Sequence, residues 1–194
     1  MKCAFLDFII FMQPFALLNR YKSEGAFQKH EGGDEMTENE FISAVKRNSQ
    51  RIFLIAYSYM QDRNDAEDVM QNTFMKLWNS KTAFESSEHT DRWLTKVCVN
   101  ECKDGFKSIF RKHVSLEEAA QISSYDKHFN IDLFRAVSSL SKKERLTVHL
   151  FYYEDLTVRE ISSLLNVKES TVKSLLRRSR EKLKSKLGDE WINE

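Results

Sequence analysis

The chain has 194 residues, 41% hydrophobic and 30% charged, enough for one large or two small globular units. One Pro, five Gly and almost no alternating apolar and polar runs leave a β-rich fold without support and point to an all-α protein. A net charge of +1 excludes a surface that attracts polyanions as a whole, but two segments are locally basic. Lys168 to Leu187 holds eight Lys/Arg against two Glu, and Arg92 to Lys112 holds six basic against two acidic residues. Two basic segments in a nearly neutral chain suggest two places for a polyanion.

In chain order, Ala4 to Leu18 is apolar but interrupted by Asp7, Gln13 and Pro14. It is shorter than the roughly 20 residues of a membrane span. A single Lys precedes it and no small-x-small cleavage site follows, so it makes a poor signal peptide. Another reading is that translation begins at Met36. The codons of Glu31-Gly32-Gly33 can contain a bacterial ribosome-binding sequence a few nucleotides ahead of the Met36 codon.

From Glu40 to Met60, Phe41, Ala44, Val45, Ile52, Ile55, Ala56 and Tyr59 fall on one helical stripe. After a polar break at Gln61 to Asn64, a second helix is predicted to about Asn79. Ala66, Val69, Met70, Thr73 and Leu77 share its core face. The opposite face carries Asp68, Gln71, Asn72 and Met75, with Glu67 and Trp78 on its shoulder. A Met and a Trp among carboxylates and amides exceed what a solvated face needs. The segment 80–90 reads as a loop, and Asp91 to Phe110 as a third amphipathic helix with Trp93, Leu94, Val97, Cys98 and Phe106. Three helices with a shared apolar face make one small bundle.

The cysteines are Cys3, Cys98 and Cys102, an odd number that suits a reducing cytoplasm. Cys98 and Cys102 stand at i, i+4, but no other His or Cys pair completes a tetrahedral set, so no metal is expected. Two small buried side chains are the expected outcome.

Residues 113–130 are polar and irregular and read as a linker, in which Ser115-x-x-Glu118 would cap one short turn. A second helical unit opens at Ile131. Ser141-x-x-Glu144 and Thr157-x-x-Glu160 are capping boxes that start helices ending near Tyr153 and Leu165. Asn166 then supplies the residue type that tolerates a left-handed turn. A final helix is predicted from about Glu169 to Leu187. A short helix, a tight turn and a longer basic helix outline a helix-turn-helix.

Along that last helix, Val172, Leu175, Leu176, Ser179, Leu183 and Leu187 share one direction. The opposite face presents Ser170, Lys173, Ser174, Arg177, Arg180, Glu181 and Lys184, with Arg178 further round. Thr171 joins them in the first turn. Early residues of such a helix reach base edges, and later cations neutralise phosphates. In the third helix, Lys96, Lys103 and Lys107 lie along a broad face suited to a phosphate backbone. Phe84 and the loop hydroxyls before it would stack on or hold unpaired bases.

DAEDVMQNTFMKLW (Asp65 to Trp78) resembles the region-2 signature of bacterial RNA polymerase sigma factors of the extracytoplasmic-function group. DRWLTKVCVNECKDGFK is similar to the promoter-melting helix that follows, with Trp93, Leu94, Asn100 and Asp104 at the family positions. LSKKERLTVHLFYYEDLTVREISSLLNVKESTVKSLLRRSREKLKSKL (Leu140 to Leu187) resembles sigma region 4. The resemblance implies two small all-α domains, 36–112 (region 2) and 131–188 (region 4), joined by a flexible linker at 113–130. Residues 1–35 form an extension and 189–194 a tail.

It further implies that Asp68, Gln71, Asn72, Met75 and Trp78 dock on the β′ clamp of core RNA polymerase, with the β flap as a further contact. Trp93, Lys96, Asn100, Lys103 and Lys107 would serve the -10 element of promoter DNA. Ser170, Thr171, Lys173, Ser174, Arg177, Arg178 and Arg180 would serve the -35 element. The resemblance also implies an anti-sigma partner, no bond chemistry, no cofactor and no small-molecule substrate.

Two departures bear on promoter sequence. Cys98-Val99-Asn100 stands where the family often has Ala-Arg-Asn, and Leu175 where it often has Arg. The competing readings are an autonomous helix-turn-helix regulator, a thiol enzyme using Cys98 or Cys102, and a helical scaffold. The first leaves the Asp68/Gln71/Met75/Trp78 face unemployed, and the second lacks a base-and-orienter arrangement. If translation starts at Met36, intact mass spectrometry of the native protein gives a species beginning there; a mass that includes earlier residues overturns that expectation.

Overall fold

The computed structural model describes residues 36–105 and 131–188. They form seven α-helices: α1 (Glu38–Met60), α2 (Arg63–Trp78), α3 (Ser87–Gly105), α4 (Ile131–Ser138), α5 (Lys142–Tyr152), α6 (Val158–Leu165) and α7 (Glu169–Leu187). No strand occurs among the described residues. The expectations for residues 1–35, for Phe106 and Lys107, for the 113–130 linker and for the 189–194 tail lie outside the described residues. The described residues divide into two compact units, 36–56 with 64–105 and 57–63 with 131–188.

In the first unit, α1 opens with a reciprocal cap. The backbone N–H and hydroxyl of Thr37 both donate to the Glu40 carboxylate at 2.8 Å, and the Glu40 N–H donates to Thr37 Oγ1 at 3.3 Å. These bonds satisfy donors that a helix N-terminus leaves open. Phe41, Ala44, Val45, Ile52, Ile55 and Ala56 are buried, as their spacing predicts. Tyr59, in the last turns of α1 that group with the second unit, is half-buried. On α2, Ala66, Val69, Met70, Thr73 and Leu77 are buried, and Phe74 joins them. Each fully buried Phe, Ile or Leu contributes about 1.5–3 kcal/mol.

The start of α3 falls four residues earlier than the sequence spacing suggests. Ser86 is the reason: its Oγ accepts from the His89 N–H at 3.2 Å and its carbonyl from the Thr90 N–H at 3.1 Å. A serine cap thus converts the end of the expected loop into the first helical turn. Leu94, Cys98, Val99 and Cys102 are fully buried on α3, and Cys98 Sγ lies 3.6 Å from the Ile52 carbonyl oxygen.

In the second unit, α7 packs against α4, α5 and α6. The Thr157 cap is complete, with its backbone N–H donating to Glu160 Oε2 at 2.8 Å and the Glu160 N–H to Thr157 Oγ1 at 3.3 Å. Helix α6 ends at Asn166, which takes the left-handed conformation (φ 55°, ψ 52°). Its side chain tolerates that region where a branched residue would not. Ile161, Val172 and Leu176 are buried in the helix-turn-helix core. Buried Arg145 donates to the carbonyls of Ser138 and Leu140 and so ties the end of α4 to α5. Burial lowers its guanidinium to about 10, which leaves it charged at neutral pH.

One carboxylate holds the two ends of this unit. Glu144 accepts from the Ser141 backbone N–H at 2.9 Å and hydroxyl at 2.8 Å, capping α5. Lys182 of α7 donates to both its oxygens, at 2.8 and 2.9 Å. Burial pushes the Glu144 carboxyl up, but the hydrogen bonds from Lys182 and Ser141 outweigh it and hold the carboxyl at about 2. A carboxyl held there rather than at 4.5 implies about 3 kcal/mol. Lys182 is half exposed, and screening reduces the contribution to about 1–2 kcal/mol.

The folded value lies below the unfolded one, so this stability is fully present above pH 4.5 and drains away as pH falls towards 2. Glu144→Gln is therefore expected to lower unfolding stability by about 1–2 kcal/mol at pH 7. Urea titrations at descending pH should show the gap to wild type closing below pH 4.5. A gap independent of pH would contradict the ion-pair account.

Candidate nucleic-acid and partner interfaces

Three surfaces emerge. The first is on α2. Asp68 and Asn72 are exposed, and Gln71 and Met75 are half-buried beside them, so these four share a face directed away from the core. Trp78 does not join it. It is only 7% exposed and meets the Phe41 ring edge-on, with centroids 5.0 Å apart. The helical wheel placed Trp78 on a shoulder, where a modest rotation decides burial. A ring of that size gains more against Phe41 than in water.

The second surface runs over the loop before α3 and the exposed side of α3. Trp93 is half-buried and packs edge-on against Phe84 at 5.6 Å, and Phe84 meets His89 at 5.5 Å. Lys96 and Asn100 are exposed, and Lys103 is half-buried. Partial burial lowers the Lys103 ammonium, with the Asp104 carboxylate opposing. Lys107 lies outside the described residues. Val99, at the position where a cation is often found, is fully buried.

Beside the loop lies an open groove of about 690 Å³, bounded by Glu40, Ser43 and Arg47 of α1 and by Thr82, Phe84 and Ser86. Its floor is braced by an ion pair. Arg47 donates to Asp91 through Nη2 at 2.9 Å and Nε at 3.2 Å, and Asn48 Nδ2 donates to the same oxygen at 2.7 Å. Burial raises the Asp91 carboxyl, but bonds from Arg47 and Asn48 outweigh it and hold the group below its usual range. Arg51 donates to Thr95 Oγ1 at 2.8 Å one turn along. None of these bracing residues was visible from spacing, because the partners stand more than forty positions apart.

The third surface is α7. Val172, Leu176 and Ser179 are buried, and Leu175, Leu183 and Leu187 are half-buried. Ser170, Thr171, Lys173, Arg177, Arg178, Arg180 and Lys184 are all exposed. Ser174 is half-buried, its hydroxyl donating to the Ser170 carbonyl at 2.8 Å. Arg177 pairs with Glu181 at 2.7 Å on the open face. The structure thus exposes six of the seven residues expected for this helix on the side away from its buried stripe, with Ser174 partly covered among them.

Among the described residues no cluster of His, Cys, Asp or Glu is arranged to hold a metal ion, and no helix is long and apolar enough to cross a membrane. Cys98 and Cys102 are buried thiols.

A helix-turn-helix with an exposed basic helix, and a separate bundle with a mixed polar and apolar face, define a modular DNA-binding protein with a second recognition surface. Comparison with known proteins narrows this. Residues 44–111 match the family described as sigma-70 region 2, and residues 131–183 match sigma-70, region 4. The chain belongs to the sigma-70 family of RNA polymerase sigma factors, in its extracytoplasmic-function group, and directs RNA polymerase to promoters. It is 24% identical over 162 residues to the RNA polymerase sigma factor SigV of Bacillus subtilis, covering 82% of this chain and 98% of that one. It is 26% identical over 162 residues to the extracytoplasmic-function sigma factor SigM of the same organism, covering 77% and 94%. Its fold is similar to that of the sigma factor RpoE of Bartonella quintana, solved with the anti-sigma factor NepR. That match has a TM-score of 0.61 at 20% identity and covers 79% of this chain and 97% of that chain.

The bracing of the groove has a measurable consequence. Asp91→Ala leaves Arg47 and Asn48 without their shared acceptor, and thermal unfolding should show a loss of about 1–2 kcal/mol. An unchanged melting curve would mean that water screens the pair completely.

Proposed function

We propose that the three surfaces divide the work of promoter recognition among them. The α2 face of Asp68, Gln71, Asn72 and Met75 docks on the β′ clamp of core RNA polymerase, and Trp78 supports it from beneath by packing on Phe41. A half-buried Met ringed by polar groups suits a protein partner, because it offers apolar contact without a costly exposed patch. The α3 side, with Trp93, Lys96, Asn100 and Lys103, tracks the -10 element, as does Lys107 by its place in the sequence. Unpaired bases stack near Phe84 and enter the adjoining groove, while the lysines follow the backbone. The α7 face of Ser170, Thr171, Lys173, Ser174, Arg177, Arg178 and Arg180 enters the major groove of the -35 element.

The observation that carries this reading is the exposed basic side of α7, held over an apolar stripe that is buried within its own helix-turn-helix. The protein performs no bond chemistry of its own and acts in the cytoplasm, where the polymerase is. An anti-sigma protein, of the kind that NepR is to RpoE, holds it inactive by covering these surfaces.

Purified core RNA polymerase and residues 36–194 test the reading, by pull-down and then by run-off transcription on genomic fragments. Discrete start sites that require the chain support it; absence of core binding returns the protein to the autonomous-regulator class. Arg177→Ala is expected to reduce promoter-dependent initiation roughly tenfold with core binding little changed. Gln71→Ala with Met75→Ala should weaken core binding by a similar factor. Equal losses in both assays for both variants would refute the division.

A further inference from the structure

Arg180 differs from the other cations of α7 in how it is held. Its Nε–H donates to the Tyr152 hydroxyl oxygen at 2.8 Å. Its guanidinium carbon lies 5.8 Å from the ring centroids of both Phe151 and Tyr152. Those two rings meet edge to face, at 79° and 5.0 Å, so they form a corner in which the guanidinium sits. Tyr152 is nevertheless 50% exposed. Among the described residues nothing takes the hydrogens on the two Nη atoms, and Arg180 is itself exposed.

This arrangement is poorly explained as a stabilising contact. A half-exposed tyrosine and an exposed arginine gain little from one hydrogen bond in water. The bond does fix a side chain that would otherwise explore many rotamers. It also fixes the fork: with Nε occupied, the planar Nη edge is the part left for an acceptor. Two nitrogens presented together in one plane match two oxygens of a phosphate.

Position along α7 decides between base and backbone. Arg180 lies ten residues beyond Ser170, about 15 Å along the helix axis, whereas base contacts in such helices come from the first turns. It continues the row Lys173, Arg177, Arg180, each three or four residues from the last and so on one side of the helix.

We propose that Tyr152 is a positioning residue for promoter binding: it holds Arg180 so that its Nη edge receives one DNA phosphate flanking the -35 element. The inference rests on the proposed placement of α7 on that element. Tyr152 itself was not among the residues expected to serve DNA. It comes from the helix before the helix-turn-helix, and its role depends on a tertiary contact over 28 positions.

The test uses holoenzyme assembled from core polymerase and this chain, on a promoter fragment from which it starts transcription. Single uncharged methylphosphonates are walked through both strands around the -35 element. For wild type, one position should cost roughly tenfold in affinity beyond its neighbours. That cost should vanish in Arg180→Ala and fall to roughly threefold in Tyr152→Phe, which keeps the ring but removes the hydroxyl. In the Arg180→Ala background, Tyr152→Phe should add nothing.

An unaltered methylphosphonate profile in Tyr152→Phe would overturn the proposal. So would an equal effect of Tyr152→Phe with and without Arg180. A loss of core-polymerase affinity in Tyr152→Phe, with the profile intact, would assign the tyrosine to a protein contact instead. Failure of the wild-type holoenzyme to hold any promoter fragment would overturn the underlying placement, and this inference with it.

Discussion

Helix α7 must satisfy two environments at once, and the second unit is built around that constraint. One side, through Val172, Leu176 and Ser179, is buried against α4, α5 and α6; the other stays in water with its cations exposed. Apolar burial alone fixes depth poorly, since a leucine stripe tolerates small rotations about the helix axis. The Glu144–Lys182 pair supplies direction. It joins the capped first turn of α5 to the later half of α7, so the angle that exposes Lys173 and Arg177 is set partly by a charge more than a turn away. The turn at Asn166 sets the other end, because only a residue that accepts the left-handed conformation lets α7 leave α6 so soon.

The first unit solves a different problem. Its exposed surfaces carry polar groups such as Asp68, Asn72, Lys96 and Asn100, and polar surface contributes little to folding. Stability therefore comes from the buried sides of α1, α2 and α3, where Phe41, Phe74, Ile52, Leu77 and Leu94 are fully enclosed. The brace of Arg47 and Asn48 on Asp91 adds rigidity beside the groove without filling it. A groove wall held by an ion pair keeps its shape when empty, and a preformed site of any kind avoids the ordering cost of closing around a ligand.

Periodicity and capping made most of the helices legible. Thr157-x-x-Glu160 and Asn166 fixed α6 closely, because each signal is a local chemical requirement rather than a tendency. The core face of α2 was equally plain. Trp78 was not, because a wheel gives direction but not depth, and only Phe41 from another helix decides that the indole turns inward. Ser86 shows the converse: the cap was present in the sequence, but two serines in a row, followed by Thr90, gave no reason to prefer it over its neighbours. The seven cationic and hydroxyl positions of α7 could be read because they alternate with a leucine stripe. Tyr152, Arg47 and Asp91 could not, since each acts through a partner far away in the chain.

The distribution of charge also bears on when the protein binds. Eight cations crowd the span from Lys168 to Leu187, yet the whole chain is nearly neutral, so no long-range field draws it to DNA at large. Locally, Arg177 is tied to Glu181 and Lys182 to Glu144, which leaves fewer cations to neutralise phosphate than the sequence count implies. The Arg177–Glu181 pair is exposed on both sides and exchanges for a phosphate at little cost. The Lys182–Glu144 pair has a buried carboxylate and does not exchange, because releasing it would strand that charge. On the proposed placement, α7 alone is therefore a modest binder of DNA. Joining the two proposed DNA surfaces on one polymerase turns the second contact into an intramolecular step, and affinity rises without any new contact. On the proposed placement the weakness of α7 by itself is what confines the protein to promoters presented by the enzyme it serves.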